Sequence, residues 1–255
     1  MSTHPVTKQP GRWASSAGSL GVKELEVFRH MDFVRIKQEL EWCEICCCNC
    51  CETENKYKIM NAQGETMFNV KEESNCCCRY CCGAERPFDM FIKDDDDNEL
   101  MKIERPIRCQ AQCCCCCLQT ISVHAPIDKQ IGSVDMQCGI TRPRFDVNDA
   151  DGNAVLQIEG PCAMCNVGSW DCCCSICCCR TVGFEILRDE EKIGMIRKEF
   201  SGVAKEAVTD ADNFYVTFPE DLDINLKLSL VSAVFLLDYM YFEKSPPDAP
   251  DGSEN

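Results

Sequence analysis

The chemistry available to this chain is concentrated in its thiols. It carries 26 cysteines among 255 residues, many in runs: Cys46-Cys47-Cys48, Cys76-Cys77-Cys78, Cys113 to Cys117, Cys172-Cys173-Cys174 and Cys177-Cys178-Cys179. Such thiols can bridge, ligate a soft metal or accept an acyl group. Adjacent cysteines bridge each other poorly, and a five-residue run leaves no defined pairing. The start, Met1-Ser2-Thr3-His4-Pro5, lacks the charged and apolar regions of a signal peptide. The expectation is a cytosol-facing chain with reduced or modified thiols. Pairs with C-x-x-C spacing occur at Cys43/Cys46, Cys78/Cys81, Cys162/Cys165 and Cys174/Cys177. They could serve as zinc half-sites, but clustering this dense creates the spacing by chance, and the three histidines (His4, His30, His124) sit at no finger spacing. Structural zinc is the lesser reading.

The run Cys113, Cys114, Cys115, Cys116 and Cys117 also reads as a lipidation site. Thioacylation needs accessible thiols near a membrane rather than a particular spacing. Each buried methylene contributes about 0.8 kcal/mol, and two chains suffice for stable anchoring. The alternative is an inert, partly buried thiol cluster.

A second candidate is the acidic span from Asp210 to Asp221. Asp210, Asp212 and Asp221 hold its first, third and twelfth places, with Phe214, Val216 and Phe218 at the fifth, seventh and ninth. Calcium loops use this spacing because hard oxygen ligands must converge on one ion. Against it, Tyr215 stands where such a loop wants glycine, Asp221 replaces a bidentate glutamate, and Phe214 to Phe218 looks like a strand. An acidic strand edge is the simpler reading. The run Asp94 to Asp97 reads as a solvated hairpin tip. No G-x-x-x-x-G-K-[ST], H-E-x-x-H or G-x-S-x-G motif is found, which argues for a protein that is not an enzyme.

The elements that must position these groups are mostly strands. Short apolar runs flank Asn/Asp/Gly turns at 57–60 and 67–70, 88–92 and 100–103, 145–147 and 155–158, and 184–187 and 193–196. These are hairpin signals, and their recurrence predicts an all-β sheet or barrel. An internal repeat supports duplication. Ile103-Glu104-Arg105-Pro106 matches Ile158-Glu159-Gly160-Pro161, and each copy continues through cysteines and a strand to an Ile-Gly pair, Ile131-Gly132 or Ile193-Gly194. Residues 1–22 read as a flexible arm, 23–244 as the folded body and 245–255 as a disordered tail. One segment departs from the β pattern: Leu226 to Phe242, with Leu226, Leu230, Val234, Leu237 and Asp238 on a predicted helix over 226–242. A membrane span wants about 20 apolar residues, and Asp238 in lipid would cost several kcal/mol, so the physics favours a helix buried inside the protein over a span. The formal net charge of −16 opposes binding to nucleic acid or to an anionic leaflet.

An ordered series of blocks now stands out. Asn55-Lys56-Tyr57, Cys81-Cys82-Gly83, Arg86-Pro87-Phe88, Glu104-Arg105-Pro106, Arg108-Cys109, the run Cys113–Cys117, Ile193-Gly194, Thr209 to Phe214, Phe218-Pro219 and Phe235-Leu236-Leu237-Asp238 follow one another between about Asp32 and Glu243. This series resembles the phospholipid scramblase family. The resemblance implies an all-β dominated, tubby-like closed barrel of about twelve strands enclosing a C-terminal apolar helix. It also implies calcium-dependent, ATP-independent, bidirectional movement of phospholipids between leaflets. Palmitate on Cys113–Cys117, calcium at Asp210–Asp221 and a place on the cytoplasmic face of the plasma membrane follow from it, with the C-terminal helix described as a single span. Phospholipids and a membrane surface are the implied partners, beside possible protein partners. The chain departs from the family in two ways: a proline-rich N-terminal arm is missing, and Glu199 interrupts the basic stretch used for nuclear import. Cys46–Cys51 and Cys172–Cys179 are richer in cysteine than the family pattern, as further acylation sites or metal ligands. A membrane-tethered module that binds lipid or protein without translocating lipid is the alternative.

Overall fold

The computed structural model describes residues 23–39, 53–108, 117–139, 142–161, 181–199 and 213–243. The proposed arm (1–22) and tail (245–255) lie outside them, and the body from 23 contains every described element. A 3-10 helix, Lys23–His30, leads into twelve strands: β1 Phe33–Glu39, β2 Lys56–Met60, β3 Thr66–Glu73, β4 Phe88–Lys93, β5 Glu99–Arg105, β6 Thr120–His124, β7 Gln130–Gln137, β8 Arg144–Asn148, β9 Ala154–Glu159, β10 Thr181–Arg188, β11 Glu191–Glu199 and β12 Asn213–Thr217. A short helix α1, Cys76–Cys82, lies between β3 and β4, and a long helix α2, Ile224–Tyr241, follows β12. Each strand pairs antiparallel with the next, and β12 closes on β1 (Phe33 opposite Thr217, Lys37 opposite Asn213). The expected closed twelve-stranded barrel around a C-terminal helix is what forms, and all four predicted hairpins are present.

Period-2 alternation places Tyr57, Ile59, Met90, Ile92, Ile121, Val123, Phe145 and Val147 on the inner wall. A twelve-stranded barrel is too wide for its own side chains to fill. Helix α2 fills the axis, and 15 of its 18 residues are buried. It begins two residues before the predicted start because Asp223 caps it, its carboxylate accepting the Asn225 N–H at 2.9 Å.

In an up-and-down barrel, successive connections alternate between the two ends. One end is built from tight acidic turns. Three share a design: Asn61, Asp94 and Asp149 each accept two N–H groups, from Gln63 and Glu65, Asp96 and Asn98, and Asp151 and Asn153. The fourth residue of each turns left-handed, Gly64 at φ 83°, Asp97 at 64° and Gly152 at 81°. The Asp94–Asp97 run is thus an exposed hairpin tip, as expected.

The repeated Ile-Gly pairs have a packing cause. A Cβ on Gly194 would stand 2.1 Å from the Thr217 carbonyl oxygen, and one on Gly132 would stand 2.6 Å from the Asn148 carbonyl oxygen and 2.8 Å from Ser229 Oγ. Neighbouring strands, and at Gly132 the helix, approach too closely for a side chain. Gly194→Ala and Gly132→Ala should each lower stability by about 1–3 kcal/mol, the usual cost of overpacking. Gly183→Ala, whose new methyl meets only the flexible Met195 side chain at 3.2 Å, should cost less. Denaturant unfolding of the three variants checks the order.

Candidate functional site

Two charged clusters hold α2 inside the barrel. At its first turn Lys227 is fully buried. Its ammonium donates to four backbone carbonyls: Phe28 at 3.1 Å, Arg29 at 3.0 Å, Met31 at 2.7 Å and Glu220 at 2.6 Å. Phe28 and Arg29 lie in the last turn of the N-terminal 3-10 helix and Met31 just after it, where carbonyl oxygens and the helix dipole favour a cation. Burial pulls the ammonium down to about 8, with Glu220 and Asp221 opposing it. Lysine thus ties the chain's first described element to its last.

At the other end of α2, Glu72 of β3 is wholly buried. It accepts Arg86 Nε at 2.7 Å and Nη2 at 3.1 Å, the Tyr239 hydroxyl at 2.6 Å and the Asn55 N–H at 2.8 Å. Arg86 also stacks on the Tyr239 ring at 4.6 Å and pairs with Glu243 at 2.7 Å. The Tyr57 hydroxyl donates to Asp238 at 2.7 Å. Burial and the adjacent Asp238 push the Tyr57 phenol well above its ordinary range, so it stays a donor. Arg105, also buried, donates to the Ala84 carbonyl and to Gln119, each at 2.8 Å, joining the β3–β4 connection to the β5–β6 connection.

The residues singled out in sequence fall as follows. Leu226, Leu230, Val234, Leu237 and Asp238 all lie in the core on α2. By length and composition the helix could cross a membrane, but here the barrel encloses it. Phe214, Val216 and Phe218 point into the same core, and Asn213–Thr217 is a strand hydrogen-bonded on both edges. Asp210 and Asp212 lie outside the described residues. Asp221 is exposed beyond the far end of β12, which spans about 17 Å at the usual rise. The described part of the segment that precedes Phe218 is therefore a wall strand. Among the described residues, no group of three or more His, Cys, Asp or Glu side chains could hold a metal. Cys113 to Cys116 lie outside the described residues. Cys117 is buried and disulfide-bonded. The sequence reading missed the Glu72–Arg86–Tyr239 network. Its visible signal was Lys227 and Asp238 inside an apolar run, since buried charges need partners.

With this geometry in view, comparison with known proteins is decisive. The family model described as Scramblase matches residues 18–244, which takes in the whole barrel and α2. The chain belongs to the scramblase family. It is 39% identical over 223 residues to Phospholipid scramblase 1 of Homo sapiens, covering 87% of this chain and 66% of that protein. It is 37% identical over 250 residues to human Phospholipid scramblase 2, covering 94% and 80%. To human Phospholipid scramblase family member 5 it is 34% identical, covering 87% and 78%. The match thus spans just under two thirds of the first of these relatives. No solved structure matches the chain.

Two outcomes test the scramblase core. Burial tends to raise the Glu72 carboxyl, but Arg86, with help from Tyr239, outweighs it and holds the group below the ordinary 4.5. A carboxyl depressed in the folded state contributes stability above its unfolded value, and that stability is lost as pH falls through the folded one. Wild type should therefore lose stability steeply below about pH 4.5, and Glu72→Gln should show a shallower slope. Urea midpoints from pH 3 to 6 measure it. Lys227→Met leaves four carbonyls without their donor and should cost about 2–4 kcal/mol at pH 7, read by the same assay.

Proposed function

We propose that this chain acts on phospholipids at a membrane surface, promoting their calcium-dependent, ATP-independent movement in both directions between leaflets. The family match across 18–244, barrel and enclosed helix together, carries this reading. The chain would sit on the cytoplasmic face of the plasma membrane, held by acyl chains on the Cys113–Cys117 run, chiefly through members other than the bridged Cys117. The carboxylates that would take part in calcium dependence are Asp210 and Asp212, on the connection between β11 and β12. The barrier to translocation is dehydration of the headgroup charge, so the protein must offer it polar partners. At −16 the chain is not expected to seek nucleic acid or the nucleus.

A second reading is favoured by one observation, the burial of α2 with its charges paired. A helix held this way leaves no free span, and an acylated barrel could bind lipids or protein partners without translocating lipid. Liposomes carrying purified, acylated protein separate the two. Exchange of headgroup-labelled lipid that requires calcium and is lost in Asp210→Ala supports translocation. Binding without exchange, abolished when Cys113 to Cys117 are replaced by serine, overturns it in favour of the tethered module.

A further inference from the structure

The barrel sorts the chain's chemistry by end. The connections after β1, β3, β5, β7 and β9 leave the same end and carry all 26 cysteines, at 43–51, 76–82, 109–117, 138 and 162–179. The strands carry none. The opposite end, at 61–65, 94–98, 125–129, 149–153, 189–190 and 218–223, carries none either; there 13 carboxylates face a single basic residue, Lys129. Among the described residues three large apolar side chains are exposed, and two of them, Tyr80 at 80% and Ile107 at 64%, belong to the cysteine end.

Helix α1 is the described part of that end that presents thiols to solvent. Cys76, Cys77 and Cys81 are exposed, Cys78 and Cys82 are half-buried, and all five are free. Helical spacing puts Cys77, Tyr80 and Cys81 on one outward face. The helix is held at both ends: Arg79 bonds the Ser74 carbonyl and Oγ, the Asn75 side chain caps Cys77 N–H at 2.8 Å, and the Ala84 carbonyl just beyond α1 accepts Arg105.

We propose that α1 is a second thioacylation site, with long-chain acyl groups on its exposed cysteines and Tyr80 seated among the headgroups, so that the whole cysteine end faces the bilayer. The inference rests on acylation as the mode of attachment. The donor is a long-chain acyl thioester of coenzyme A. The cysteine sulfur attacks the acyl carbonyl, the bond from that carbonyl to the coenzyme sulfur breaks, and coenzyme A leaves as a thiol carrying the cysteine's proton. One thioester replaces another, with no redox change.

The physical return is orientation. One acyl chain binds only marginally and two bind stably. Two attachment points on separate connections also stop the barrel from swivelling about a single tether. The acidic end then points away from an anionic leaflet, which would repel it.

The test is thioester mapping on full-length protein from cells fed an alkyne-tagged palmitate analogue. Trypsin separates Cys76–Cys78 on peptide 72–79 from Cys81 and Cys82 on peptide 80–93, because the Arg86-Pro87 bond resists cleavage. Hydroxylamine-sensitive acyl mass on either wild-type peptide supports the proposal. A variant with Cys113 to Cys117 changed to serine should keep label, and adding Cys76→Ser, Cys77→Ser and Cys81→Ser should lower its thioester count by at least one. Label confined to the Cys113–Cys117 peptide overturns the α1 site and leaves acylation standing. No hydroxylamine-sensitive label anywhere overturns both.

Discussion

Glu72 and Arg86 form a bidentate ion pair in a place with almost no water, and the arrangement of the barrel follows from satisfying it. Taking both charges out of solvent costs several kcal/mol, so their remaining hydrogen-bonding capacity must be filled. Tyr239 and Asn55 complete the Glu72 shell; Gly83, Tyr239 and Glu243 complete that of Arg86. These partners come from the connection before β2, the end of β3, the connection before β4, and α2 with the residues just after it. The network therefore fixes where the last turn of the helix stops relative to three wall elements. Lys227 fixes the other end by tying the first turn to the N-terminal 3-10 helix. An apolar rod alone could slide or rotate in an apolar tube, because dispersion contacts are non-directional. Charged ends remove that freedom.

The paired charges at both ends oppose release of α2 from the barrel. Releasing α2 into lipid would expose the barrel's inner wall and strip Lys227 and Asp238 of their partners. Attachment through side chains at the barrel end requires neither. The connections whose sequences hold the cysteines all leave one end of the barrel, and the turns dense in carboxylates close the other, which gives the molecule an axis. Under the proposed acylation, such an axis would let a chain of strongly negative charge sit against lipid, the covalent chains outweighing the repulsion.

Much of the fold was legible because its causes are local. Each hairpin tip names itself through an Asn or Asp whose side chain accepts the next N–H groups, and period-2 alternation marks the strands that follow. The Ile-Gly repeat was visible as a pattern, but its reason was not. Gly132 and Gly194 are required by carbonyls of strands 16 and 23 residues further on. Helix α1 went unread because seven residues dominated by cysteine give no helical periodicity.

The sequence by itself determined the strand content, the turns, the apolar segment and the family, since each depends on neighbours along the chain or on ordered blocks. Only the tertiary structure decided three further things. It placed Lys227 and Asp238 among partners up to 199 residues away, an assignment that no local pattern encodes. It turned Phe214, Val216 and Phe218 into wall residues, because β12 closes the sheet and its backbone groups are used on both edges. And it sent the connections whose sequences hold the cysteines out of one end, because closing an antiparallel barrel sends alternate connections to opposite poles.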